Sequence, residues 1–216
     1  MLSSLADVVL ATMYKHLTIA LATLAFSTGA FADGFDLPVG DFFQIAYAAN
    51  LNVGDSFVNF TNSGNTVVNG ASQNICINLY TFDPQEELIS CCTCTVTPNG
   101  LVSLSVVKSL ISNPLTPAIP TAVVIKAIAT TACIGTGQFA IAHGLLGWGT
   151  TLHQNTSTAA PTYSVSEVPF SPAAINEALA DHLVNTCGFI QANGSGFGIC
   201  AGCPSNGLGA ATTSNQ

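Results

Sequence analysis

Ile75-Cys76-Ile77-Asn78-Leu79-Tyr80-Thr81-Phe82, followed after Asp83-Pro84-Gln85-Glu86-Glu87 by Leu88-Ile89-Ser90-Cys91-Cys92-Thr93-Cys94-Thr95-Val96, is the stretch that decides the fold. Successive side chains of a strand point to opposite faces. Ile75, Ile77, Leu79 and Thr81 therefore share one face, and Cys76, Asn78, Tyr80 and Phe82 the other. The polar connector between the two runs predicts an antiparallel hairpin. With Phe82 opposite Leu88, Cys76 falls opposite Cys94, close enough for a bridge. The expected pair is thus Cys76–Cys94. Cys92 shares a face with Cys94 while Cys91 points to the other side. The adjacent cysteines are therefore expected to reach different distant partners among Cys133, Cys187, Cys200 and Cys203, whose pairing the spacing leaves open.

Working outward, similar short runs recur. Phe42 to Ala49 and Phe57 to Thr61 precede the hairpin, the second closed by Asn62-Ser63-Gly64-Asn65. Thr97-Pro98-Asn99-Gly100 reads as a turn with Gly100 free to take a positive φ, and Leu101 to Val107 alternates again. Asn113 to Pro120 carries three prolines and reads as a loop, whereas Thr121 to Thr130 is apolar apart from Lys126, as for a strand buried on both sides. Phe139 to Leu152 and Tyr163 to Val168 supply the last strands. Ser171-Pro172 reads as N-cap and first helical residue, with Ile175, Leu179, Leu183 and Cys187 on one face and an end near Gln191 to Gly194. The expected fold is mainly β, an antiparallel, immunoglobulin-like β-sandwich over residues 33–168. A C-terminal helix and Cys-containing tail, residues 169–216, pack on the same domain, and disulfides staple the whole.

The N-terminal segment sets the compartment. From Met13, Lys15 precedes an apolar run from Leu17 to Phe26 and the small-residue site Ala30-Phe31-Ala32. This is the layout of a cleavable secretory signal spanning residues 1–32, with cleavage after Ala32 and Met13 as an alternative start. The run is too short to span a bilayer, and Lys126, His143 and the glycines interrupt the later apolar stretches, so no membrane insertion is expected. Export implies an oxidising milieu, periplasmic, secreted or cell-surface, in which eight cysteines become disulfides. After cleavage two lysines, Lys108 and Lys126, face ten carboxylates, a net charge of −8. No arginine is present, so nucleic acid is excluded as a partner. With 6% charged residues against 49% hydrophobic, the surface is weakly repulsive and compatible with self-association or with cell-envelope and glycan contacts.

Other chemistry is thinly represented. Cys91, Cys92, Cys94, Cys200 and Cys203 could furnish a thiolate metal or redox site, although no histidine stands at ligand spacing and Cys200-Ala201-Gly202-Cys203 does not open a helix. Ser195 between glycines, with His143, His153 and His182 elsewhere, suggests a hydrolase only superficially, because the Gly-x-Ser-x-Gly elbow is absent. Gly194-Ser195-Gly196-Phe197-Gly198 lacks the strand, helix and basic partner of a nucleotide site. Asp83, Glu86 and Glu87 match no calcium loop. Asn59, Asn155 and Asn193 head glycosylation triplets. No cofactor and no catalytic residue is assigned.

The run Ile75 to Glu87 with Cys91-Cys92-Thr93-Cys94 and Thr97-Pro98-Asn99-Gly100-Leu101, extending through Trp148-Gly149-Thr150 to the terminal cysteines, resembles exported bacterial proteins of unassigned function with a Cys-Cys-x-Cys motif. The resemblance implies bacterial export and brings no activity or ligand. The resulting expectation is an exported, non-enzymatic structural or adhesive protein of the cell surface or extracellular matrix. A cysteine-based metal-binding or thiol-redox protein is the alternative, and a secreted hydrolase the third.

Overall fold

A computed structural model describes residues 36–37, 39–133, 140–157, 160–193 and 195–203, all within the unit Phe35–Gln216. The expected signal, its cleavage site and the alternative start lie outside the described residues. Strands β1 (Asp36–Leu37), β2 (Phe43–Ala48), β3 (Phe57–Asn62), β4 (Val67–Val68), β5 (Ala71–Ser72), β6 (Ile75–Phe82), β7 (Leu88–Val96) and β8 (Leu101–Ser105) come first. A π turn, Val106–Leu110, then leads to β9 (Val123–Thr130), β10 (Leu145–Asn155), β11 (Thr162–Pro169), β12 (Ser171–Pro172), β13 (Ile175–Asn176) and helix α1 (Glu177–Asn193). Five strands form one antiparallel sheet in the order β12-β2-β9-β6-β7, and four form the other in the order β11-β10-β3-β8. The fold is the expected mainly β sandwich with one C-terminal helix.

The two sheets share one core. Phe60 on β3 meets Phe170 edge to face at 5.0 Å between ring centroids. Gly147 on β10 makes room for the pair, since a Cβ there would come within 3.0 Å of the Phe60 ring and 3.1 Å of Phe170. Strand β6 is buried along nearly its whole length. Its reason is visible in the faces: Ile77 and Leu79 lie opposite Cys94 and Cys92, whereas Tyr80 lies opposite Cys91, which is tied to Cys187 of α1. One face thus serves the sandwich core and the other receives the helix. Burial without a hydrogen-bond partner among the described residues pushes the Tyr80 phenol well above its ordinary range. Polar groups on the same face fare better: Asn78 donates to Thr130 Oγ1 at 2.9 Å and accepts from Thr93 Oγ1 at 2.9 Å, joining β9, β6 and β7.

The hairpin register differs from the expectation by one residue. Phe82 does face Leu88, but Thr81 faces Ser90, so Ile89 is an extra residue in β7. A bulge of this kind moves every later side chain to the opposite face. Cys76 consequently faces Thr95, and Cys94 faces Ile77. The carbonyl of the bulged Ile89 is satisfied by Leu115 N at 2.8 Å, from the proline-rich loop that passes alongside. Asp83 organises the connector by accepting from Gln85 N and Glu87 N at 2.9 and 3.0 Å.

Four further local readings are corrected. The positive φ of the 97–100 turn belongs to Asn99, at 61°. Gly100 instead packs tightly on Thr97, where a Cβ would meet Oγ1 at 2.7 Å. The alternation of Leu101 to Val107 ends early because Asp55 captures the chain: it accepts from the Ser105 hydroxyl and from Val107 N at 2.9 Å and so turns it into the π turn. Ser171-Pro172 does not start the helix. These residues pair with Ile45 and Gln44 of β2, and the cap is Asn176, whose Oδ1 accepts from Ala178 N at 2.9 Å. The buried helical stripe is Ala180, Leu183, Cys187 and Ile190, while Leu179 is 40% exposed. Steps of four residues drift around a 3.6-residue turn, so alternating steps of three and four hold one face.

Candidate functional site

All eight cysteines lie among the described residues and none is free. They form Cys76–Cys133, Cys91–Cys187, Cys92–Cys200 and Cys94–Cys203, with Cα separations of 5.1, 5.9, 5.3 and 5.1 Å. The expected Cys76–Cys94 pair is therefore replaced, for the reason given by the Ile89 bulge. Cys91 reaches the helix and Cys92 the tail, because neighbouring strand residues project to opposite sides. The five thiols considered for a metal site are divided among three bridges, two on one face of β7 and one on the other. Among the described residues, no group of three or more His, Cys, Asp or Glu is placed to hold an ion.

These bridges hold a strap against one sheet edge. Cys91 N donates to Gly198 O at 2.9 Å and Cys200 N donates to Cys91 O at 3.2 Å, so Ile199 pairs in parallel with Cys91 on β7. Gly198 N in turn donates to Asn113 O at 2.7 Å, and Ala201 N to Ser109 O at 2.8 Å. Gly198 takes φ +76° and a Cβ there would lie 2.5 Å from Leu115, so both its torsion and its contacts favour glycine. The β7 edge is capped by the chain's own tail, and the cap is covalent.

The histidines are separated. His143 Nδ1 lies 2.7 Å from Asp41 Oδ1, and Gly144 N donates to the second carboxylate oxygen at 2.6 Å. The imidazole is 61% exposed, and no hydroxyl or thiol among the described residues is hydrogen-bonded to it. His153 Nε2 lies 2.8 Å from Ser166 Oγ across the β10–β11 pair, and His182 is exposed on α1. Ser195 Oγ accepts from Phe197 N at 3.4 Å, a local turn remote from the histidines in its hydrogen bonding. The residues considered for a hydrolase are thus not brought together. Of the glycosylation triplets, Asn59 is half-buried in β3, Asn155 is exposed and accepts from Ser157 N at 2.9 Å, and the Asn193 side chain lies outside the described residues.

An open hollow of about 290 Å³ lies beside the β4–β5 hairpin, lined by Thr66, Val68, Ser72, Gln73, Asn74 and Thr131. The sequence reading missed that hairpin, although Asn69-Gly70, both at positive φ, is the standard signal for a two-residue turn.

The other unusual feature is the opposite sheet's edge. β10 pairs with β3 only from Leu145 to Gly149; beyond that its ladder partner is β11. The β10–β11 hairpin continues outward as an arm, and every residue of β11 except Ser166 is exposed. Tyr163, Val165 and Val168 are 57%, 66% and 59% accessible. Among the described residues no strand pairs with the outer side of β11. An edge strand offers unpaired N–H and C=O groups, usually guarded by lysine, proline or a bulge. Here the prolines, Pro161 and Pro169, flank the central residues, and Glu167 is the only charged residue between Leu145 and Pro169. No helix among the described residues is long and apolar enough to cross a membrane. Compared with protein families, curated proteins and solved structures, the chain matches none.

Proposed function

We propose that this chain is an exported structural or adhesive protein of the cell surface or extracellular matrix, acting through contacts rather than chemistry. The observation that carries the reading is the contrast between four disulfides inside the domain and an exposed β11 edge on its outside, whose prolines stand only at its ends. Disulfides suit a domain working where thiols are oxidised, and they resist unfolding of a chain with little surface charge. An exposed edge supplies a row of main-chain hydrogen bonds that any extended segment can complete. The polar hollow at β4–β5 and the Ser-, Thr- and Asn-rich surface add neutral hydrogen-bonding groups of the kind that meet glycans.

The test is binding of the purified full-length protein to isolated cell envelopes and to immobilised glycans, run beside its sedimentation behaviour. Saturable binding, or assembly, is expected. A protein that remains strictly monomeric and leaves both materials untouched would overturn the reading.

A further inference from the structure

We infer that β11 is a self-pairing edge, through which two copies of the chain join their four-stranded sheets antiparallel about a two-fold axis at Val165; the inference rests on the adhesive reading above. The sequence of the strand carries the choice of a second copy. With Val165 on the axis, Val165 meets Val165, Ser164 meets Ser166, Tyr163 meets Glu167 and Thr162 meets Val168. Each opposed pair is compatible: a β-branched pair at the centre, hydroxyls beside it, and the strand's single carboxylate facing a phenol instead of its own copy. An isologous contact needs just such self-complementarity.

Charge argues in the same direction. A cationic partner would be drawn to acidic surface, yet the arm contributes one carboxylate of the chain's eleven. The contact is nearly neutral while the molecules as wholes repel. Added salt should therefore strengthen the dimer, the reverse of its effect on an oppositely charged partner. The exposure of Val165 and Val168 gives the edge apolar surface to bury along with its hydrogen bonds. A two-fold contact uses the same edge of both copies, so the assembly closes at two copies through it, and β8 at the opposite edge of that sheet takes no part.

Sedimentation equilibrium of the full-length protein at low and high salt tests the inference, with two variants and a control. Wild type should form a dimer that tightens with salt. Val165→Lys places two cations together on the axis and should weaken it roughly tenfold or more, whereas Val39→Lys, at a valine 65% exposed against 66% for Val165, should leave it unchanged. Val165→Cys should give a cross-linked dimer when treated with oxidised glutathione, because both antiparallel pair types bring opposed residues within disulfide reach. Peptide mapping of the four native bridges checks that each variant is folded. A dimer that survives Val165→Lys, weakens in salt or fails to cross-link at position 165 overturns the inference. A monomer that still binds envelopes or glycans overturns self-pairing and leaves the adhesive reading standing; one that binds neither overturns both.

Discussion

The outer edges of β7 and β11 meet the same physical problem in opposite ways. β7 belongs to the sheet that carries the helix, and the chain's tail lies along it as an extra partner, riveted by Cys92–Cys200 and Cys94–Cys203. β11 ends the other sheet with no strand on its outer side among the described residues and one charge along its length. Unpaired edges invite pairing. One edge is closed covalently and the other is left open on its outer side.

The largest effect should come from making the closed edge resemble the open one. Cys200→Ser with Cys203→Ser removes two bridges that close loops with sequence separations of 108 and 109. At about 2–4 kcal/mol each, the combined loss is roughly 4–8 kcal/mol in urea unfolding, accompanied by aggregation as β7 becomes accessible. Retention of wild-type stability would mean that the strap is ornamental.

Next is the core beneath the sheet with the open edge. Phe60→Ala deletes one ring of the Phe60–Phe170 pair at a fully buried position and should cost about 3–5 kcal/mol by thermal unfolding. A small change would show that this sheet is weakly packed as well as open. Smaller again is Asp55→Ala, which strips a carboxylate acceptor from Ser105 and Val107 after β8 and should cost about 1.5–3 kcal/mol. Val165→Ser on the open edge should shift monomer stability by no more than about 0.5 kcal/mol, because an exposed side chain with no core contact contributes little. A large loss there would mean that β11 is packed after all and would remove the contrast.

Much of the fold was legible in residue patterns. The two faces of Ile75 to Phe82, the buried run before Thr130 and the alternation of Tyr163 to Val168 follow from a period of two that backbone geometry imposes on any strand. The divergence of Cys91 and Cys92 follows from the same rule. The candidate edge was less legible. Nothing local marks Thr162–Pro169 as terminal in its sheet, since strand order is decided by which segments pair over long separations. Asn69-Gly70 announced a hairpin that went unread. The start of α1 was misread because Ser171-Pro172 satisfies a capping rule equally well as an edge strand beside Ile45 and Gln44.

Alternation and cysteine content were enough to imply an antiparallel, disulfide-rich domain, because those properties depend on short stretches and totals. Which sulfur meets which, and which edge stays open, belonged to tertiary structure alone. A single inserted residue, Ile89, reverses the face presented by Cys94 and sends it to Cys203, and its carbonyl is accommodated by Leu115, a residue outside both strands. A register shift of one position costs little locally and redirects everything beyond it, so only the packed whole could decide it.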